Sequence, residues 1–170
     1  LKSIRSAVLE HTNAKASDLT LHHSCGVELK EYEGQENIWD MVTFDPPYIF
    51  KREIYGEDPR DLCQIRNMDE FNAKLETCLK NLKRLIKPSN WEKREFHPIV
   101  IKVGSARDNR NGLTDMATEV EIIGRKLNLV LHDKVHNILN SQWAMFNLSR
   151  CIDNKYSIKS HETNLVFIKY

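Results

Sequence analysis

An α/β fold, with a mostly parallel sheet and an antiparallel last strand, is what this sequence predicts. Three observations carry the prediction. Short apolar runs (residues 38–44, 98–103, 129–139 and 163–170) are separated by polar loops or helical segments. Two longer segments, 69–86 and 114–127, repeat apolar residues at helical spacing and alternate with those runs, as in a sheet built from strand–helix units. No amphipathic segment separates the last two runs, which suits them to antiparallel pairing.

Taken in order, residues 4–11 fit a short helix with Ile4, Val8 and Leu9 inward, and residues 18–23 fit a strand. Residues 27–32 fit a short helix or a turn. The run 38–44 is apolar almost throughout, as expected of a strand covered on both faces. Residues 48–66 read as a long polar loop, broken by Gly56 and Pro59. The clearest helix is 69–86, where Phe71, Leu75, Cys78, Leu79, Leu82, Leu85 and Ile86 recur on one face. Asn67 or Asp69 is placed to cap it and Pro88 to stop it. Residues 104–111 read as a polar loop. The helix 114–127 turns Ala117, Val120, Ile123 and Leu127 inward, with Thr114 and Asp115 at its start. Residues 141–160 read as a second loop.

The composition bounds the function. A chain of 170 residues fits one domain with a sizeable core. Its 25 basic and 24 acidic residues nearly cancel, so a nucleic-acid partner would have to be held by a local basic patch. No apolar run approaches the ~18 residues of a membrane span, and no signal-peptide pattern is present. Cys25, Cys63, Cys78 and Cys151 are widely spaced, which fits reduced thiols better than a zinc site. The expectation is therefore an intracellular protein, in the cytoplasm or at the nucleoid or nucleus. His22, His23, His132 and His136 read as strand-face residues, and Trp91 and Trp143 as packing residues. No nucleophile–base pair suited to a phosphohydrolase or protease stands out.

The chemistry concentrates in Asp45-Pro46-Pro47-Tyr48, where the run 38–44 ends. Two prolines donate no backbone hydrogen bonds, fix their own φ and bias the residues before them to extended backbone. The turn is stiff, the Pro46 carbonyl is available as an acceptor, and the Asp45 and Tyr48 side chains are held in set directions. Acceptors suit an amine, and a ring suits a flat base.

This phrase resembles the catalytic motif of the S-adenosylmethionine-dependent amino-methyltransferases. A second phrase, His161-Glu162 leading into Leu165-Val166-Phe167, resembles the same family, and so does the order of elements between the two. The resemblance runs from about Leu19 to Tyr170. It implies a Rossmann-like methyltransferase sheet and S-adenosyl-L-methionine as cofactor. It further implies methylation of an exocyclic base amine, with Asp45 and the Pro46 carbonyl holding the amine, Pro47 stiffening the turn and Tyr48 stacking on the base. Asp at the first position points to N6 of adenine in DNA more than to N4 of cytosine, where Ser is usual. A guanine amine in tRNA is an alternative, as is a non-catalytic module that binds nucleic acid or a partner. Lys51, Arg52, Arg107, Arg110, Tyr156 and Lys159, with Lys155 beside them, are the candidates for nucleic-acid contact.

The sequence departs from the family on the cofactor side. The family's glycine-rich turn needs two glycines one residue apart, where backbone approaches the cofactor. Here neighbouring glycines stand at least eight positions apart (Gly26, Gly34, Gly56, Gly104, Gly112, Gly124), which also excludes a Walker A loop. Ser24 and Cys25 stand where the family often has a Gly-Asp pair. Cys25 and Asp45 are thus the cofactor-side candidates, with Glu28 a shifted alternative acid. The expectation is a single methyltransferase-like domain over residues 1–170 that is incomplete, its cofactor half supplied by a missing segment or a second chain.

Overall fold

The computed structural model describes residues 15, 25–47, 62–65, 67–104, 106–108, 112–138 and 161–170. The strands are β1 (Val42–Phe44), β2 (Pro98–Gly104), β3 (Ala106–Asp108), β4 (Gly112–Thr114), β5 (Val130–Ile138) and β6 (His161–Ile168). The helices are α1 (Met68–Leu85) and α2 (Met116–Lys126), and two short 3-10 turns lie at Lys30–Tyr32 and Leu62–Gln64. The predicted elements at 4–11 and 18–23, and the predicted loop at 141–160, lie outside the described residues.

Four strands form one sheet in the order β1-β2-β6-β5. β1 pairs parallel with β2, and β6 pairs antiparallel with both β2 and β5. Hence β1, β2 and β5 point one way, and the last strand is inserted between two of them against that direction. This is the mostly parallel sheet with an antiparallel last strand that the sequence predicts.

The helices form where the sequence places them, for local reasons. Asn67, rather than Asp69, caps α1: its side-chain oxygen accepts from the Glu70 amide at 3.0 Å. Asp115 caps α2, accepting from the Ala117 amide at 3.3 Å and the Thr118 hydroxyl at 2.8 Å. At their other ends the exposed carbonyls are met by cations. Lys83 donates to the Leu127 carbonyl at the end of α2 at 2.6 Å, while Arg84 reaches the Tyr32 carbonyl at the end of the first 3-10 turn at 2.8 Å. Lys169 reaches the carbonyls of Lys83 and Ile86, each at 3.2 Å. Partial burial, and then the nearby Lys83 charge, push the Lys169 pKa down.

The core lies between the two helices and one face of the sheet. Phe71, Leu75, Cys78, Leu79, Leu82 and Leu85 of α1, with Ile86 just beyond it, are all buried, as their spacing predicts. They join Val120 and Ile123 of α2, Ile99, Ile101 and Val103 of β2, and Leu165 and Phe167 of β6. Each such side chain contributes roughly 1.5–3 kcal/mol by leaving water.

Three expectations change. Of the run 38–44, only Val42–Phe44 is laddered as strand. Residues 37–39 instead donate their amides to the Arg84 and Leu85 carbonyls at the end of α1, so the helix terminus takes those bonds before the sheet can. Coverage on both faces is also not what the described residues show: Val42 is buried, Thr43 is exposed, and Met41 is 57% exposed. The predicted polar loop at 104–111 contains strand β3, which pairs antiparallel with β4 just after it. Backbone pairing alone defines this two-stranded ribbon, and a polar sequence carries no apolar alternation to announce it.

Two outcomes follow. Gly124 in α2 has no room for a side chain, because an added Cβ would lie 2.5 Å from the Phe167 ring. Phe167 is fully buried and cannot swing away. Gly124→Ala should therefore destabilise by about 1–3 kcal/mol through overpacking, against the ~1 kcal/mol that alanine gains in an open helix; urea denaturation reads the sign. Burial pushes the Cys78 thiol up to about 12. The unfolded chain releases this proton from about pH 8.5, so the thiol's contribution is whole below that pH and is lost as pH rises towards the folded value. The stability gap between wild type and Cys78→Ala, measured in urea, should accordingly narrow between about pH 8 and about pH 11.

Candidate active site

The site is built at the carboxyl end of β1. Asp45 is exposed, Pro46 is buried and Pro47 is half-buried, so the proline pair is seated in the fold while the carboxylate faces outward. Phe44 lies opposite Ile101 in the parallel register, and the next step of that register brings Asp45 to Lys102. Across β2 the antiparallel register sets Lys102 against Asn164 and Gly104 against Glu162. Side chains alternate along a strand. In β2, Ile99, Ile101 and Val103 enter the core, so Lys102 emerges on the other face. In β6, Thr163, Leu165 and Phe167 are buried, so Glu162 emerges on that same face.

The result is a linked set of charges. The Lys102 ammonium lies 3.0 Å from Glu162 Oε2 and 3.6 Å from Asp45 Oδ2. Glu162, with its side chain 19% exposed, is the sheltered member; Lys102 is 39% and Asp45 57% exposed. The hydrogen bond to Glu162, and then the Asp45 charge, hold the Lys102 pKa above the ordinary lysine value. Ion pairs this open to water are worth about 0–1 kcal/mol each, so their consequence is orientation rather than stability.

Lys102 thus joins the two phrases that the sequence singled out, Asp45-Pro46-Pro47 and Glu162. Sequence reasoning passed over it, although a signal was there: it is the one charged residue in the strand Pro98–Gly104. Of the other candidates, Cys25 is a half-buried free thiol. Its segment is tied to α1, where Cys78 donates to the Gly26 carbonyl at 3.3 Å and Asn81 to the Val27 carbonyl at 2.7 Å. Glu28, the alternative acid, pairs with Lys30 at 3.0 Å. Arg107 has its backbone in β3, immediately beyond the carboxyl end of β2. Tyr48, Lys51, Arg52, Arg110, Lys155, Tyr156 and Lys159 lie outside the described residues, as do the side chains of Arg107 and His161.

His136 sits on the strand face as predicted, its ring 3.0 Å from the Thr163 hydroxyl. Trp91 departs from a plain packing role. It is 51% exposed and forms a surface cluster, edge-on to Phe96 at 4.4 Å and tilted against His132 at 5.4 Å, with its indole N–H donating to the Tyr170 hydroxyl. Trp143 lies outside the described residues. Among the described residues no helix is long and apolar enough to cross a membrane, and no group of three His, Cys, Asp or Glu side chains is placed to hold a metal ion.

No protein-family model matches the chain, and neither does any curated protein. Solved structures do. A provisionally assigned DNA modification methylase from Thermus thermophilus superposes with a TM-score of 0.58 at 17% identity, covering 84% of this chain and 50% of that one. The same protein complexed with S-adenosyl-L-methionine gives 0.57 at 18% identity, over 85% and 53% of the two chains. The cytosine-N4-specific PvuII DNA methyltransferase gives 0.63 at 16% identity, over 88% and 48%. The chain therefore has the α/β fold seen in these methyltransferase structures, and it spans about half their length.

Proposed function

We propose that this chain carries the base-binding side of an S-adenosylmethionine-dependent DNA methyltransferase that modifies an exocyclic base amine, N6 of adenine in preference to N4 of cytosine. The observation that carries this reading is the placement of Asp45 and its proline pair at the carboxyl end of β1, the sheet edge where α/β folds bind ligands. That the superposed structures are DNA methylases supports it, as does the donor bound in one of them.

Gly26, the glycine beside Cys25, has open space where a Cβ would stand. The donor, when bound, supplies a methyl group on a positively charged sulfur. This chain's share is to hold the acceptor. A base inside a duplex is out of reach, so it must leave the stack, which costs about a few kcal/mol. Tyr48 offsets part of that by stacking, worth roughly 1–3 kcal/mol per base. The Asp45 carboxylate and the Pro46 carbonyl accept hydrogen bonds from the amine and so direct its lone pair outward. Placement of this kind is the main catalytic device in the reading. Lys51, Arg52, Arg107, Arg110, Tyr156 and Lys159 are the proposed backbone contacts. The cofactor side is proposed to come from a further segment or a second chain.

The test is transfer of a tritiated methyl group from S-adenosyl-L-methionine to methyl-free DNA by the full-length protein, with the labelled nucleoside identified after digestion. N6-methyldeoxyadenosine is the expected product, and N4-methyldeoxycytidine would correct the base assignment. Asp45→Ala should lower the rate by about 100-fold, and Tyr48→Ala by roughly 5- to 150-fold, the equivalent of the lost stacking. Transfer that survives both substitutions would overturn the site. Label that appears in tRNA and not in DNA would move the reading to an RNA methyltransferase.

A further inference from the structure

We propose that Lys102 is a positioning residue, which sets the Asp45 carboxylate to receive a donor amine and is itself anchored by Glu162. The inference rests on the reading of Asp45 as an amine acceptor. It explains why a cation stands in the middle of the sheet, one strand away from each carboxylate.

Lys102 lies closer to Glu162, at 3.0 Å, than to Asp45, at 3.6 Å, and Glu162 is the less exposed of the two. Glu162 is therefore the fixed end. Asp45 is the working end: Lys102 faces its Oδ2, so Oδ1 is the oxygen left for an incoming donor. An exposed aspartate with no such tether spreads over its rotamers.

One ammonium between two carboxylates leaves a net charge of about −1 on the set. An amine whose nitrogen gains positive charge as it is alkylated is favoured there. A base edge that presents only a carbonyl oxygen is opposed, because it brings an acceptor to an acceptor. Lys102 thus moderates the site without reversing its sign, and the selection is for amino-bearing bases over keto-bearing ones.

The strand Pro98–Gly104 is otherwise uncharged, and Val100, the neighbour of Lys102 on that face, is half-buried. A lysine in such a strand carries its four-carbon stem along apolar surface and delivers its charge at the rim. That rim is where β1 ends and β6 begins, so the single side chain spans three strands.

The experiment uses the full-length protein with Lys102→Met, Lys102→Arg, Glu162→Gln and Asp45→Asn. Two readouts are taken. One is kcat and KM for methyl transfer to methyl-free duplex DNA. The other is the nitrogen-15 spectrum of the lysine ammonium groups, recorded without donor or DNA. Lys102→Met is expected to lower kcat by up to about 100-fold, the effect of a misplaced reacting group. KM for the donor and the melting temperature should stay at wild-type values. Lys102→Arg, which can still pair with both carboxylates, should restore most of the rate. The Lys102 ammonium signal should move on Asp45→Asn as well as on Glu162→Gln. Should Lys102→Met not fold, Glu162→Gln carries the same expectation for kcat.

The proposal is overturned if Lys102→Met keeps the wild-type kcat. It is overturned equally if Lys102→Arg falls as far as Lys102→Met, or if the ammonium signal ignores Asp45→Asn. Those results differ from a failure of the underlying reading. In that case the wild-type protein transfers no methyl group, or Asp45→Ala leaves transfer intact, and the role of Lys102 falls with it.

Discussion

Seven consecutive residue pairs join β2 to β6, from Pro98 opposite Ile168 to Gly104 opposite Glu162, and this register is the constraint on which the rest of the molecule depends. It sends Ile99, Ile101 and Val103, with Leu165 and Phe167, to the helix side. The alternate residues, Lys102 and Glu162 among them, go to the other face. A slip of one residue would exchange the two sets, putting a lysine into the core and leucine in water. The apolar face therefore secures the register, and the register in turn delivers the charged set. Packing energy and site geometry are one decision here, made by the same ladder.

The site also shows how a weak interaction can matter. Ion pairs at the exposure of Lys102, Asp45 and Glu162 add little to folding. What they do is help choose the directions of those side chains. The seated proline pair does the same for the backbone beside them, since Pro46 is buried while Asp45 is not. Rigid surroundings and a polar tip are what a placement-based reaction needs.

β1 stands at the outside of the four-stranded sheet in the described residues, and the chain spans about half of each methyltransferase structure it superposes on. The sequence has no pair of glycines spaced for a cofactor turn.

The sequence by itself determined a good deal. Helical spacing named the buried face of α1 residue by residue, because a 3.6-residue repeat needs no partner to be seen. The capping side chains, the strand runs and the stiff Asp45-Pro46-Pro47 turn were legible for the same reason: each is local. Other features were decided only by tertiary structure. Residues 37–39 gave their hydrogen bonds to the end of α1 and not to the sheet, because that helix terminus arrives beside them in space. Polar strands β3 and β4 paired through backbone alone, without an apolar pattern. Lys102 is the plainest case. In sequence it is one charge in an apolar strand; between Asp45 and Glu162 it becomes the link of a site. Its partners are distant along the chain, and only strand order and register bring them within reach.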